Sequence, residues 1–265
     1  MVELLHEERE MIAPYYRNST DSTIYSYLQG YMGRAFVDDK KYIRHTMILQ
    51  GDFIFPSGEE AEFDEAIARQ MIQELVKIPN IGDFLIIPQH HAWEEFLSRQ
   101  PQCQMIKRYA FRKMKLDDFD VPKLEMIAQK LPKGFVYQRF DEKICELALS
   151  MNWSQDFCSN FKTIPYYMEH GIGIAILKEN EFVCGASSYT SYEQGIEIEI
   201  TTKESYRNQG LASCCGAKLI LECIKEGKIP NWDAANQISV SIAKKLGFIY
   251  LGEYNTYELC VENIP

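Results

Sequence analysis

The chain has no apolar run long enough to cross a bilayer, since stretches such as residues 172–177 fall far short of the roughly 20 residues a spanning helix needs. Residues 1–10 are acidic and lack the basic end and apolar stretch of a secretory signal. There is no low-complexity tract and no dense Lys/Arg cluster. The eight cysteines, at 103, 145, 158, 184, 214, 215, 223 and 260, form no pair of C-x-x-C units and no grouping with His at metal-ligand spacing, which argues against a zinc site. These absences lead us to expect a cytoplasmic protein with reduced thiols, no metal and no membrane partner.

Positive charge is also scarce. Against 38 Asp and Glu stand 28 Lys and Arg, a formal net charge of −10, so nucleic acid or an anionic membrane would meet net repulsion. A cationic or amine-bearing substrate suits that field better. The rest is ordinary globular composition, with 46% hydrophobic and 25% charged residues. At roughly 100–200 residues per domain, 265 residues suggest two units or one large one.

The first half opens with a polar, helix-like stretch. Residues 31–37 and 42–50 read as a strand–turn–strand hairpin, and 53–55 as a short strand stopped by Pro56. A helix follows over 59–76, with Phe63, Ile67, Met71 and Leu75 at four-residue spacing. A buried strand is expected at 84–87, a short helix at 91–99, an extended piece at 109–114 and a helix at 121–129. Pro132, Lys133 and Gly134 then break the chain, so a domain boundary is expected there, with units 1–133 and 134–265.

The second half alternates more clearly. We expect a strand at 135–139, a helix at 142–150, a loop carrying Trp153, Phe157 and Phe161, and strands at 172–177, 182–190 and 195–201. Helices over 210–226 and 237–246 follow, separated by the short segment 230–234, and strands over 248–261 close the chain. Such a pattern means an α+β or mixed α/β sheet covered by helices. The four large aromatics, Trp232 included, are expected mainly in the core.

The chemistry concentrates where the strand at 195–201 runs through a loop into a helix. There Arg207-Asn208-Gln209-Gly210-Leu211-Ala212 has the form Arg-x-x-Gly-x-Ala. A helix start leaves backbone N–H groups unpaired and carries partial positive charge, which suits a pyrophosphate. Gly210 permits close approach of the phosphate, small Ala212 does not block it, and Arg207 adds a charge that cannot be titrated away. In the strand, Ile196, Ile198 and Ile200 alternate with Glu197, Glu199 and Thr201. Cys214, Cys215 and Cys223 share a stripe with Leu211 and Leu219 and read as small core residues.

This loop, together with the block from Asn236 through Ala243-Lys244-Lys245-Leu246-Gly247-Phe248, resembles the GNAT superfamily of N-acetyltransferases. The resemblance covers about the last 130 residues. Residues 230–236, Pro-Asn-Trp-Asp-Ala-Ala-Asn, further resemble a branch that includes the zwittermicin A resistance acetyltransferase. The resemblance implies a twisted mixed sheet flanked by helices, preceded here by a smaller α+β domain that is either a degenerate copy or unrelated. It also implies that acetyl-CoA is the acyl donor. Ile200, Thr201 and Thr202 would pair with the pantetheine arm, the amides of Asn208, Gln209, Gly210, Leu211, Ala212 and Ser213 would hold the pyrophosphate, and Asn236 would contact the cofactor or cap the helix behind it.

Acyl transfer to an amine needs a route for the amine's proton and a donor for the oxyanion. Glu197 resembles the strand glutamate that some members use as base, while Glu199 is the alternative and the slightly favoured substrate contact. Many members carry a Tyr acid where this chain has Ala243; Ser239, Ser241, Tyr250 or Tyr254 could substitute, or the thiolate could leave unaided. The expected acceptor is a small primary amine. A non-catalytic acyl-CoA sensor and a peptide or protein acetyltransferase are the alternatives, and a homodimer is admissible.

Overall fold

The computed structural model describes residues 1–78 and 83–259. In chain order these form β1 (Val2–Glu3), α1 (Ser22–Leu28), β2 (Arg34–Val37), β3 (His45–Gln50), β4 (Phe53–Gly58) and α2 (Glu65–Leu75). Next come β5 (Phe84–Ile86), α3 (His91–Ser98), β6 (Cys103–Phe111), α4 (Val121–Ala128), β7 (Phe135–Arg139) and α5 (Glu142–Leu149). The chain continues through α6 (Ile164–His170), β8 (Gly173–Lys178), β9 (Glu181–Tyr192), β10 (Gly195–Thr202) and α7 (Leu211–Lys225). It closes with β11 (Ile229–Asn231), β12 (Asp233–Ala234), α8 (Gln237–Leu246) and β13 (Tyr250–Leu259). Residues 260 and 261, expected to end the last strand, lie outside the described residues. Among the described residues no helix is long and apolar enough to cross a membrane.

Two compact units result, Met1–Arg108 with Tyr254–Leu259, and Tyr109–Glu253. In the first, strands run in the order β1-β2-β3-β4-β5-β13, all antiparallel except β4 with β5. The expected hairpin is present with shorter strands. The Asp38 carboxylate accepts from the N–H groups of Arg44 (3.0 Å) and His45 (3.1 Å), and Asp39 accepts from Lys41 (2.6 Å). Those local bonds satisfy the turn's backbone in place of a ladder. β4 runs on through Pro56, because this residue lies beyond the stretch paired with β5 and its missing N–H is not needed there. Helix α2 starts six residues later than expected, where the Asp64 carboxylate accepts from Ala66 (2.9 Å) and Ile67 (3.2 Å). It buries Ala68, Met71, Ile72 and Leu75 in a core shared with Phe84, Trp93 and Phe96.

The second unit holds a five-stranded sheet, β11-β10-β9-β8-β7, antiparallel except where β10 meets β11. Both faces are covered. On one, Ile174, Ile176, Cys184, Ala186, Ile196 and Ile198 pack in a single cluster with residues of α4, α7 and α8. On the other, Phe140, Phe157, Tyr167 and Phe182 interlock edge to face or tilted, with ring centroids 5.8–5.9 Å apart. Double coverage explains why β8 and β9 are buried along nearly their whole length, the serines and threonine of β9 included.

The break at 132–134 is a turn inside this unit and not the point where packing divides. Leu124 and Ile127 of α4 belong to the α7 cluster, and the Cys214 thiol donates to the Ile127 carbonyl at 3.4 Å. Helix α6 was not expected within the aromatic loop. Thr163 caps it by accepting from the Tyr166 N–H (3.2 Å), Pro165 opens its first turn, and Tyr167 anchors it in the core.

Candidate functional site

Strand β10 has two different edges. Toward β9 it is paired from Gly195 to Thr202. Toward β11 it is paired only from Gly195 to Glu197, after which the chain leaves as β12 and pairs instead with β6, Asp233 opposite Ala110 and Ala234 opposite Tyr109. From Ile198 to Thr202 that edge has no strand partner among the described residues, leaving about 13 Å of backbone donors and acceptors for another extended chain. A bulge in the β9 pairing at Glu197/Ile198 marks the same point. Asn231 secures the parting, its side-chain amide donating to the Ile196 carbonyl (2.9 Å) and the Tyr192 hydroxyl (3.0 Å).

Beyond Thr202 the loop is tied down before α7 begins. Glu181 pairs with Lys203 and accepts from the Tyr206 hydroxyl at 2.7 Å, and the Lys203 bond holds its carboxyl below the usual range. Arg207 is exposed and folds back, its Nε donating to the Thr202 carbonyl at 3.2 Å. Asn208 (φ 63°) and Gly210 (φ 79°) both take the left-handed conformation. Gly210 stands at the N-cap of α7 with no side-chain cap, no acidic residue in the first turn, and open space where a Cβ would sit. The first-turn amides of Leu211, Ala212 and Ser213 therefore point out of a 15-residue helix with no carboxylate in that first turn and no side-chain cap among the described residues. This end of α7 fits a pyrophosphate, and the bare edge of β10 leads into it.

The two faces of β10 differ as the alternation predicts. Ile196 and Ile198 lie in the α7 core, and Ile200 reaches Gly216, where a Cβ would stand 3.3 Å from its Cδ1 and 2.8 Å from Leu246. The partly buried Glu197, Glu199 and Thr201 alternate with them on the other face. Glu199 accepts from the Thr201 hydroxyl at 2.8 Å. Glu197 lies where β11 ends, opposite the fully buried Thr190 on β9. The Thr202 hydroxyl donates to the Cys184 thiol at 3.2 Å.

On α8, Asn236 takes the capping role, accepting from the Ser239 N–H at 3.0 Å while remaining exposed. Ala243 is fully buried. Trp232 packs on Phe248 with ring centroids 5.4 Å apart and donates its indole N–H to the Ser239 hydroxyl at 3.0 Å. Phe157, Phe161 and Trp232 are buried and Trp153 is partly buried. Burial raises the Cys214, Cys215 and Cys223 thiols, which stay neutral in the core.

The strand, loop and helix start thus come together as one continuous track, while Asn236 begins the next helix. Sequence reasoning missed Asn231, Tyr192 and Glu181. Asn231 and Trp232 lay within the quoted block at 230–236, whereas nothing local marks Glu181, which meets the loop only through the fold.

A bare strand edge on a mixed sheet leading to an uncapped helix start suits an acyltransferase of the GNAT type, and the GNAT acetyltransferase family model matches residues 13–257, so the chain belongs to that family. It is similar to the uncharacterized N-acetyltransferase YdfB of Bacillus subtilis (strain 168), at 28% identity over 242 residues covering 88% of each chain. It is also similar to the crystal structure of a GCN5-related N-acetyltransferase-like protein from Streptococcus suis 89/1591, at 32% identity and a TM-score of 0.84 over 95% of this chain and 98% of that one. A tandem GNAT protein from the clavulanic acid biosynthesis pathway shares the fold at 9% identity, with a TM-score of 0.59 over 100% of this chain and 99% of the other.

Proposed function

We propose that this acetyltransferase moves an acetyl group from acetyl-CoA to the primary amine of a small molecule, with Glu197 taking the amine's proton. The observation that carries the proposal is the bare edge of β10, which begins just past Glu197 at Ile198 and leads through the loop after Thr202 to the uncapped start of α7. With the pyrophosphate on the amides from Asn208 to Ser213, the pantetheine arm runs back along Thr202, Thr201 and Ile200. The thioester then arrives beside Ile198, between Glu197 and Glu199. Glu199, engaged by Thr201, serves the acceptor side. Arg207 braces the loop from the Thr202 carbonyl and adds positive charge near the phosphates. Asn236 keeps α8 in position and, being exposed, can also touch the cofactor.

Attack requires the neutral amine. Glu197, directly or through a water, accepts the proton as the carbon–nitrogen bond forms, and a backbone N–H at the bulge stabilises the oxyanion. The resemblance of residues 230–236 to the zwittermicin A resistance branch, with the chain's negative charge, favours a cationic, antibiotic-like metabolite as acceptor. The first half we read as a degenerate copy of the same fold. Acetyl-CoA titrated by calorimetry and free thiol counted against a panel of amines test this reading. Binding with no thiol released from any amine would replace it with an acyl-CoA sensor; no binding would remove both.

A further inference from the structure

We infer that Ser239 is a catalytic residue that donates a hydrogen bond to the sulfur of the departing CoA; this rests on the acyl-CoA reading above. The Ser239 hydroxyl has one described hydrogen-bond partner, the Trp232 indole N–H at 3.0 Å, and toward it the oxygen can only accept. Its own hydrogen therefore stays available to donate. Trp232 directly follows Asn231, the last residue of β11 opposite Glu197, so the indole joins the point where β11 leaves β10 to the first turn of α8.

Two further features keep that hydroxyl in position and accessible. The Ser239 backbone N–H is held by the Asn236 side chain at 3.0 Å, so the residue sits in a capped first turn and does not fray. A helical side chain covers the turn preceding its own Cα, and at 243, four residues on and on the same face, the residue is a buried Ala too short to reach back. Ser239 is left partly exposed, with its hydroxyl tied through Trp232 to the segment that follows the parting of β10 and β11.

The chemistry asks for a donor and not an acid. When the amine nitrogen has bonded to the carbonyl carbon and passed its proton to Glu197, the carbon–sulfur bond breaks and its electron pair stays on sulfur. A thiol titrates near 8.5, far below an aliphatic alcohol, so Ser239 keeps its proton and stabilises the thiolate by a charge-assisted hydrogen bond. The thiolate then takes a proton from solvent, and Glu197 returns its own to solvent, closing the balance of amide and free thiol.

The direct test reads the thiol of CoA bound to the whole protein, followed by the ultraviolet absorbance of its thiolate as pH is varied. In the wild type the bound thiol should titrate about one unit, or tenfold, lower than in Ser239→Ala. Ser239→Thr should restore the wild-type value, and Trp232→Phe, which removes the orienting N–H, should fall between. Turnover should drop by roughly tenfold in Ser239→Ala, with acetyl-CoA affinity unchanged. If CoA binds equally and its thiol titrates alike in the wild type and Ser239→Ala, the role of Ser239 is overturned while acyl-CoA binding stands. If CoA does not bind the wild type, both fall.

Discussion

The two longest described helices, one in each unit, begin in opposite ways. Helix α2 starts at Asp64, whose carboxylate accepts from Ala66 and Ile67 and so fills the positive end with a charge of the chain's own. Helix α7 starts at Gly210, with no side-chain cap and no acidic first turn. The other described helices side with α2. Asp21, Asp120, Asp141, Thr163 and Asn236 cap α1, α4, α5, α6 and α8, and Glu60 accepts from the Ala92 N–H at the start of α3. A cap normally contributes about 1 kcal/mol, so a chain that gives its other described α-helices a side-chain acceptor and withholds one at the longest leaves that end open to an anion from outside.

The largest effect that would break this comparison comes from Gly210→Val. A β-branched residue is strained at φ 79°, and its side chain would occupy the open space before the amides. Acetyl-CoA affinity measured by calorimetry should fall by about 100-fold or more; retained affinity would show that the phosphates lie elsewhere. Next is Glu197→Gln, which should lower turnover by roughly 100-fold or more with affinity for acetyl-CoA unchanged, against a smaller loss for Glu199→Gln. The reverse order in steady-state kinetics would hand the proton to Glu199.

Asp64→Ala is the counterpart in the first unit. It should cost about 1 kcal/mol in denaturant unfolding and leave acetyl-CoA affinity as it was, since that helix end serves stability alone. The smallest effect belongs to Glu181→Gln, which loosens the loop before α7 by losing the Lys203 pair. Because Lys203 holds the Glu181 carboxyl below its ordinary value of 4.5, the pair's contribution is full above that value and disappears as pH falls through the lower, folded one. The small difference in Tm between wild type and Glu181→Gln should therefore be present at neutral pH and vanish in acid.

What could be read from the sequence follows the range of the physics involved. Gly210 and its neighbours were legible because a helix start after an alternating strand is encoded within about 20 residues, and α8 because Asn236 and Gly247 bracket it. Local signals misled where packing decided. Pro132 and Gly134 break the chain, yet Leu124 and Ile127 bury with α7, so the packing boundary lies earlier. Pro56 looked like the end of a strand because only the fold reveals that its missing N–H faces no partner strand. Helix α6 hid behind its aromatics, although Thr163 and Pro165 are ordinary start signals. The bare edge of β10 has no local signal and entered only through the family resemblance of Ile200, Thr201 and Thr202, since it exists because β12 pairs with β6, more than 100 residues earlier in the chain.

Backbone hydrogen exchange, followed residue by residue with and without acetyl-CoA, tests the central claim most directly. The account predicts new protection at Ile198, Ile200 and Thr202 on β10 and at Leu211, Ala212 and Ser213 at the start of α7, with Ala66 and Ile67 of α2 unchanged. Protection confined to the first unit, or none along β10 under saturating acetyl-CoA, would contradict it.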